Sequence, residues 1–413
     1  MPKRQCPPQL VLTERWHELL EGCQLTHGVD SRSCGRNAAV ATEARLRVLM
    51  LTTHDAFGGP FPKLKPLLTR GLRDAGAEVG VLGWGAHTAG AESLLVKIVG
   101  RSVDLVRVLR CVRHWRPDVI YVATSHSWQS VLRDTYLAVA LTRRGPPLVL
   151  HLHGSHPDRL GRPGQTLFTL FSRWLMRRAA AVMLLSTEEQ KEWRNSCPNV
   201  RFEVVINPFV PDDVVDPNRG ARDALGRDSV LLIVARLMRP KGVFELLEAL
   251  EKVRRSRPCR LVMAGAGPAG DEIAKRAKSL GIDDALEMLG YVTGPTLASA
   301  YAGADVFVLP SYQEGFPLSV MEAMANGLPI VTTRIGGCAD HLVPDVNAVF
   351  VPTRDAQAVA AAIERLLDDD DLRLRMGRAN AAKVADFSPD TVMPRYAEIL
   401  RSVAGTGGLR ATS

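Results

Sequence analysis

At 413 residues the chain is long for one hydrophobic core and suits two. Its 46% hydrophobic and 23% charged content is globular, which excludes a disordered or fibrous chain. The net charge of +8 comes visibly from the N-terminal half, around Arg101 to Arg116, Arg143-Arg144 and Arg159 to Arg178. Such a face suits phosphates, anionic lipid or nucleic acid, although most of these residues read as a merely solvated, Arg-rich surface. Basic and aromatic residues do not interleave as a nucleic-acid platform requires, so no nucleic-acid partner is expected.

The seven cysteines are scattered, with no Cys-x-x-Cys and no zinc spacing. They read as reduced thiols of a cytoplasmic protein. The first residues lack the apolar core of a signal peptide. No apolar run approaches the ~20 residues of a membrane-spanning helix.

Residues 1–44 are polar with weak periodicity and read as a mobile extension, with one short helix expected at Thr13 to Glu21. From Arg45 the rhythm changes. Strands are predicted at Leu46 to Leu51, Glu78 to Trp84, Asp118 to Ala123, Pro147 to His153, Ala181 to Leu185 and Phe202 to Ile206, alternating with helices. That alternation predicts a parallel sheet covered on both faces, with ligands at the carboxyl ends of its strands. The Pro/Asp/Asn/Gly-rich segment Val210 to Arg227 reads as a hinge.

A second series follows, with strands at Ser229 to Ala235, Arg260 to Ala264, Leu286 to Leu289, Ala304 to Leu309 and Ile330 to Thr333. Asp355 to Val403 is helical in pattern, and the acidic run Asp368 to Asp371 marks a helix junction rather than a metal site. The fold class is therefore α/β, with two Rossmann-like domains facing across a cleft. The expected boundaries are 1–44 for the extension, 45–212 and 213–390 for the two domains, and 391–413 for a terminal helix and tail.

Glu314 to Pro329 follows a strand with a loop, Gly315 and Pro317, and then a short helix starting near Ser319. Strand, loop and helix start aim free N–H groups at an anion. Ser319-x-x-Glu322 equally fits a capping box, and Glu314 a solvated loop carboxylate. Arg236 and Lys241-Gly242 follow the first strand of the same series and can flank a diphosphate, or stand as two exposed cations. Gly265-Ala266-Gly267-Pro268-Ala269-Gly270 matches a dinucleotide fingerprint, but it follows the second strand of its domain and no acid ends the next one. It reads better as a tight turn beside a nucleotide. His151 and His153 share one strand face, and His153, nearest the loop, is the candidate for function.

On these residues the chain resembles the retaining glycosyltransferases of family 4, which have the GT-B fold. The matching stretches are Arg236 with Lys241-Gly242, Gly265 to Pro268, Leu289-Gly290-Tyr291-Val292 and Glu314 to Pro329. Gly58-Gly59, His153-Gly154 and Asn207-Pro208 match more weakly. The resemblance implies transfer of a sugar, of the hexosyltransferase class, from a nucleotide-diphosphate donor to a glycan or lipid-linked acceptor, in bacterial polysaccharide or glycolipid assembly. The 45–212 domain would take the acceptor and the 213–390 domain the donor.

By the same resemblance Glu314 would contact the donor sugar, Glu322 the ribose, and Arg236 and Lys241 the diphosphate. Backbone N–H groups of Phe316, Leu318 and Ser319 would touch sugar or phosphate. Gly265 would lie beside the nucleotide, Tyr291 near the base, His153 by the transferred sugar and Gly58-Gly59 against the phosphates or acceptor. Neither a cofactor nor a metal is expected.

Departures from the family pattern are Ala266, Asp340, Asn347-Ala348, and Pro60 and Pro62 after the first glycine pair. Other readings are a nucleotide-sugar epimerase or hydrolase on the same fold, or a non-catalytic GT-B subunit. The helix Thr166 to Arg178, apolar with basic ends, is either a core helix or a peripheral contact with the inner face of an anionic membrane.

Overall fold

The computed structural model describes residues 45–53, 61–85, 94–141, 145–155, 157, 160–212 and 228–409. The extension, its expected helix and Gly58-Gly59 lie outside the described residues.

Two six-stranded sheets, each wholly parallel in its pairing, organise the chain. The first holds β1 (Arg47–Thr52), β2 (Glu78–Gly83), β3 (Val119–Thr124), β4 (Leu148–Leu152), β5 (Ala181–Leu184) and β6 (Phe202–Val204), in the order β2-β1-β3-β4-β5-β6. Its central strands are continuous apolar runs because helices cover both faces. α1 (Phe61–Asp74) packs Leu64, Leu68 and Leu72 on one face. α2 (Leu94–Trp115), α3 (Trp128–Ala140), α4 (Thr166–Arg178) and α5 (Thr187–Ser196) bury their apolar stripes on the other.

The second sheet holds β7 (Ser229–Val234), β8 (Cys259–Ala264), β9 (Leu286–Gly290), β10 (Val306–Leu309), β11 (Ile330–Thr333) and β12 (Val349–Val351), ordered β12-β11-β10-β7-β8-β9. Between them run α6 (Val243–Arg254), α7 (Gly270–Leu280), α8 (Gly294–Gly303), α9 (Leu318–Ala325) and α10 (Gly336–His341). Sequence reasoning found five of these strands and missed β12. Three residues are too few to show a period.

After β12 come α11 (Ala356–Asp368), α12 (Asp370–Lys383) and α13 (Pro389–Leu409). The acidic run is a junction: the Asp369 carboxylate caps α12, accepting the Leu372 N–H at 2.8 Å. α13 then crosses back to the first sheet. Met393, Tyr396, Leu400 and Val403, spaced three or four apart, are buried in its core with α1. The Tyr396 hydroxyl donates to the Ile206 carbonyl at 3.1 Å, tying that return to the end of the first lobe.

In the second sheet β7 lies between β8 and β10, its later strand neighbours running outward on either side. Chain direction across the sheet therefore reverses between β7 and β10, which opens a crevice at their carboxyl ends. A 3-10 turn, Arg239–Lys241, follows β7 and closes on Gly242 at φ 70°. A Cβ on Gly242 would stand 2.1 Å from the Pro310 carbonyl oxygen, so only glycine lets the two loops touch here. The Tyr312 N–H, bonded to the Pro240 carbonyl at 2.8 Å, completes the join.

Gly281 has a similar φ of 67° but open space around its Cβ position. Gly242→Ala is therefore expected to cost clearly more than the ~1 kcal/mol of left-handed strain expected for Gly281→Ala, since it adds a clash with backbone. Denaturant midpoints of the two variants measure the difference; equal losses would contradict the loop-to-loop contact.

Candidate functional site

The site grows from the crevice between β7 and β10. Lys241, at the end of the β7 turn, places its ammonium 2.5 Å from Glu314 Oε1 on the β10 loop. Ser311 donates to the same oxygen at 2.8 Å. Both charged side chains are largely shielded from solvent, which strengthens their attraction. Arg236 lies just past β7, exposed, with no ion-pair partner among the described residues. One cation is thus already engaged by a carboxylate and the other is free for an anion.

The glycine pairs around this point serve close packing. Gly265 has φ 143°, and a Cβ there would meet the Ala235 carbonyl oxygen at 1.9 Å. Leu237 and Ala266 are joined by a backbone bond of 3.1 Å. The glycine-rich stretch after β8 thus braces the loop that carries Arg236, the tight turn expected from its position. On the other side the Gly337 N–H bonds the Gly315 carbonyl at 2.5 Å, fixing the Glu314-Gly315 turn against α10.

α9 starts at Leu318 with Pro317 as its N-cap, one residue earlier than expected. The Ser319 side chain caps nothing, so the capping-box reading fails. Instead Glu322 accepts the Tyr301 hydroxyl at 2.7 Å on Oε2 and the Lys63 ammonium at 2.8 Å on Oε1. Lys63 comes from the first turn of α1 and bonds Asp212 as well, also at 2.8 Å. Burial pulls its pKa down, but the two carboxylates outweigh that and leave it above its ordinary value. Sequence reasoning missed Lys63, one lysine between Pro62 and Pro66 with no pattern linking it to Glu322.

Phe316 is buried against Phe387 and His341, so its ring is a wedge and only its backbone is left for a ligand. Leu318 and Ser319 occupy the first turn of α9, where N–H groups lack helical partners. Tyr291, just past β9, is exposed.

The first lobe meets this loop cluster through its own carboxyl-end loops. Gln313 donates to the Ser155 carbonyl at 3.0 Å. Thr187 donates to Asp340 through its N–H (2.7 Å) and hydroxyl (2.5 Å), and the Gly336 N–H reaches Glu188 at 2.7 Å. Asp340, where the family pattern favours glutamate, still meets the first lobe with both carboxylate oxygens. Beneath them Glu189 is buried and bonded to Ser155 and the Leu185 N–H, with burial pushing its carboxyl up to about 6.

His153 follows β4, with its ring edge-on to Phe61 at 4.7 Å and beside His151 at 4.0 Å. His151 is wholly buried and meets the Tyr121 hydroxyl through Nδ1 at 2.6 Å. Nε2 of His151 is shielded with no hydrogen-bond partner among the described residues, and the shielded His153 ring lies beside the Asn207 amide without a well-aligned hydrogen bond between them. Such a cluster of unsatisfied polar atoms at a strand end marks a place built for something other than packing. Burial lowers His151 well below its ordinary value and His153 to about 3, so both rings are neutral near pH 7.

Two consequences are measurable. Unfolding returns His153 to a pKa near 6.5, so the unfolded chain binds the extra proton between about 3 and 6.5 and stability falls as pH falls through that window. Glu189 works in the opposite sense between about 4.5 and 6, so the test is a comparison with a variant. His153→Gln should remove up to ~1.4 kcal/mol per pH unit of that slope. Parallel stability–pH curves for both proteins would contradict a neutral, half-buried His153.

Comparison with known proteins adds the following. The family described as glycosyl transferases group 1 matches residues 216–383, and the glycosyl transferase 4-like domain matches residues 32–208. D-inositol 3-phosphate glycosyltransferase of Corynebacterium diphtheriae is 30% identical over 341 residues, 77% of each chain. Sucrose-phosphate synthase from Thermosynechococcus elongatus superposes with a TM-score of 0.71 at 19% identity, covering 88% of this chain and all of that one. Anabaena HepE in complex with UDP-glucose superposes with a TM-score of 0.66 at 21% identity, covering 87% of this chain and all of that one. Both superpositions bear on the fold, which is GT-B.

Proposed function

The chain belongs to the glycosyl transferases group 1, and from that premise we propose that it moves a sugar from a nucleoside diphosphate onto a glycan or lipid-linked acceptor with the anomeric configuration retained. The observation that carries the reading is the Lys241–Glu314 pair across one strand-order reversal, with Arg236 exposed just past the same strand as Lys241. UDP-glucose, bound in the Anabaena relative of this fold, has the chemistry such a crevice suits.

Negative charge grows on the diphosphate as its bond to the sugar breaks. Arg236 and Lys241 stabilise that charge, joined by the first-turn N–H groups of α9. Glu314 is held beside Lys241 and reaches a sugar hydroxyl. It also keeps the ammonium aimed into the crevice before the donor arrives. The departing diphosphate is itself the nearest negative group to the cationic sugar, on the face where the acceptor attacks, so retention needs no enzyme nucleophile. His153, neutral and beside the Asn207 amide, donates to or accepts from a sugar hydroxyl. The close glycine contacts fix these loops before binding, which lowers the ordering cost.

Lys241→Ala and Glu314→Ala are each expected to lower transfer by a hundredfold or more, on the order of losing one fixed charge-stabilising donor. A screen of nucleotide sugars by melting temperature finds the donor, because a ligand that binds only the folded state stabilises it. Full turnover by either variant with that donor would refute the assigned roles.

Lys63 enters the same reading as a competitor. A ribose diol that bonds Glu322 must take the Oε1 lone pairs that Lys63 holds. Lys63→Met is expected to tighten binding of the matching nucleoside diphosphate by about tenfold, the worth of one charge-assisted bond. Titration calorimetry reads this directly; weaker binding would mean that Lys63 holds the nucleotide instead of yielding to it.

A further inference from the structure

The outer surface of the first lobe carries an apolar face that the proposed transfer does not use. α2, α3 and α4 all pack inward on the same face of the first sheet. Outward, α3 exposes Trp128, Leu132, Tyr136 and Val139, at spacings of three and four. α4 packs against α3, with Trp128 against Phe168 at 5.2 Å, and exposes Leu167, Leu170 and Trp174. These seven side chains are between 40% and 65% exposed, well beyond scattered surface hydrophobics. α2 adds exposed Val106 and Leu109 beside Arg110 and Arg113.

The charge on this face has one sign. The three helices contain two acidic residues, Asp104 and Asp134, and both are buried. Asp104 faces Arg107 at 3.8 Å, and Asp134 accepts the Trp84 indole N–H at 2.8 Å and pairs with Arg133. No carboxylate on these helices reaches solvent, while Arg110, Arg113 and Arg177 do.

We infer that this face docks on an anionic lipid bilayer. Tryptophan and tyrosine favour the headgroup level, leucine and valine the acyl boundary just below it, and arginine the anionic headgroups. A second copy docking through the same face would set like charges against each other, which argues for lipid as the occupant. Among the described residues no helix is long and apolar enough to span a membrane, so this contact is one of lying on the surface.

The face also points somewhere. α3 and α4 begin at the carboxyl edge of the sheet, the edge where His153 donates its N–H to the Thr124 carbonyl at 2.8 Å. A bilayer under Trp128 and Leu167 therefore lies close to the mouth of the site. A lipid-linked acceptor would then enter from the membrane plane; that part rests on the proposed transfer, while the docking itself does not.

Flotation of the full chain with phosphatidylcholine vesicles, with and without about one third phosphatidylglycerol, tests it. Binding is expected to the anionic vesicles at low salt and to weaken as salt rises. Leu167→Glu/Leu170→Glu should abolish it without lowering the melting temperature or the shift produced by the donor nucleotide. Arg113→Gln and Arg177→Gln should each weaken it about fivefold. Failure of the unaltered protein to bind anionic vesicles, or equal binding by the leucine variant, overturns the inference and leaves the transferase reading standing. So does a concentration-dependent dimer that the leucine variant loses while vesicles are ignored.

Discussion

The arrangement depends on one contact between loops that are far apart in sequence: the Lys241 ammonium held against the Glu314 carboxylate across the β7–β10 crevice. Where strand order reverses in a parallel sheet, the loops after two neighbouring strands leave to opposite faces and a crevice opens between them. Here the reversal falls beside β7, the first strand of its lobe. A cation after the first strand and an acid after the fourth therefore flank that crevice, and here they pair across it. Neither side chain is wholly exposed, so each would be costly to leave unpaired. The pair keeps the ammonium from wandering, and a more negative ligand can take it over.

Backbone contacts hold that pair at its short separation. Gly242 lies against Pro310, Gly265 against Ala235 and Gly336 against Glu314, each where a Cβ would sit about 2 Å from a carbonyl oxygen. These glycines therefore set distances between loops rather than cradle a ligand. The second lobe thus presents a rigid wall. The lobes meet through side chains: Lys63 and Thr187 of the first reach Glu322 and Asp340, and Gln313 of the second reaches the Ser155 carbonyl. Such bonds are easily exchanged, and they are the ones a ligand entering between the lobes would meet first. α13 crosses back as a packed element, burying Met393 and Tyr396 in the first core.

Much of this was legible in the residues. Runs such as Leu49-Met50-Leu51 and Val306-Phe307-Val308 declare buried parallel strands, because both sheet faces are covered and no polar alternation survives. Arg236, Lys241, Glu314 and Glu322 stood out because each sits just past a strand or in the helix after it. What escaped notice was encoded in pairing, not in local pattern. β12 has three residues and is a strand only because β11 lies beside it. Ser319 and Glu322 have capping-box spacing, but Lys63 and Tyr301, from two other elements, draw Glu322 away. The apolar stripe of α4 was visible; that α3 and α2 extend it without an exposed acid required the packing of all three on one sheet face.

The central claim is that the β7–β10 crevice binds a diphosphate between Arg236 and Lys241. A crystal structure of the protein with its nucleoside diphosphate bound tests this most directly. The account expects phosphate oxygens within hydrogen-bond reach of both side chains and of the first turn of α9, with the Lys241 ammonium shared between Glu314 and the ligand. Phosphates seated elsewhere, with Arg236 still exposed and Lys241 still bonded to Glu314 alone, would contradict it.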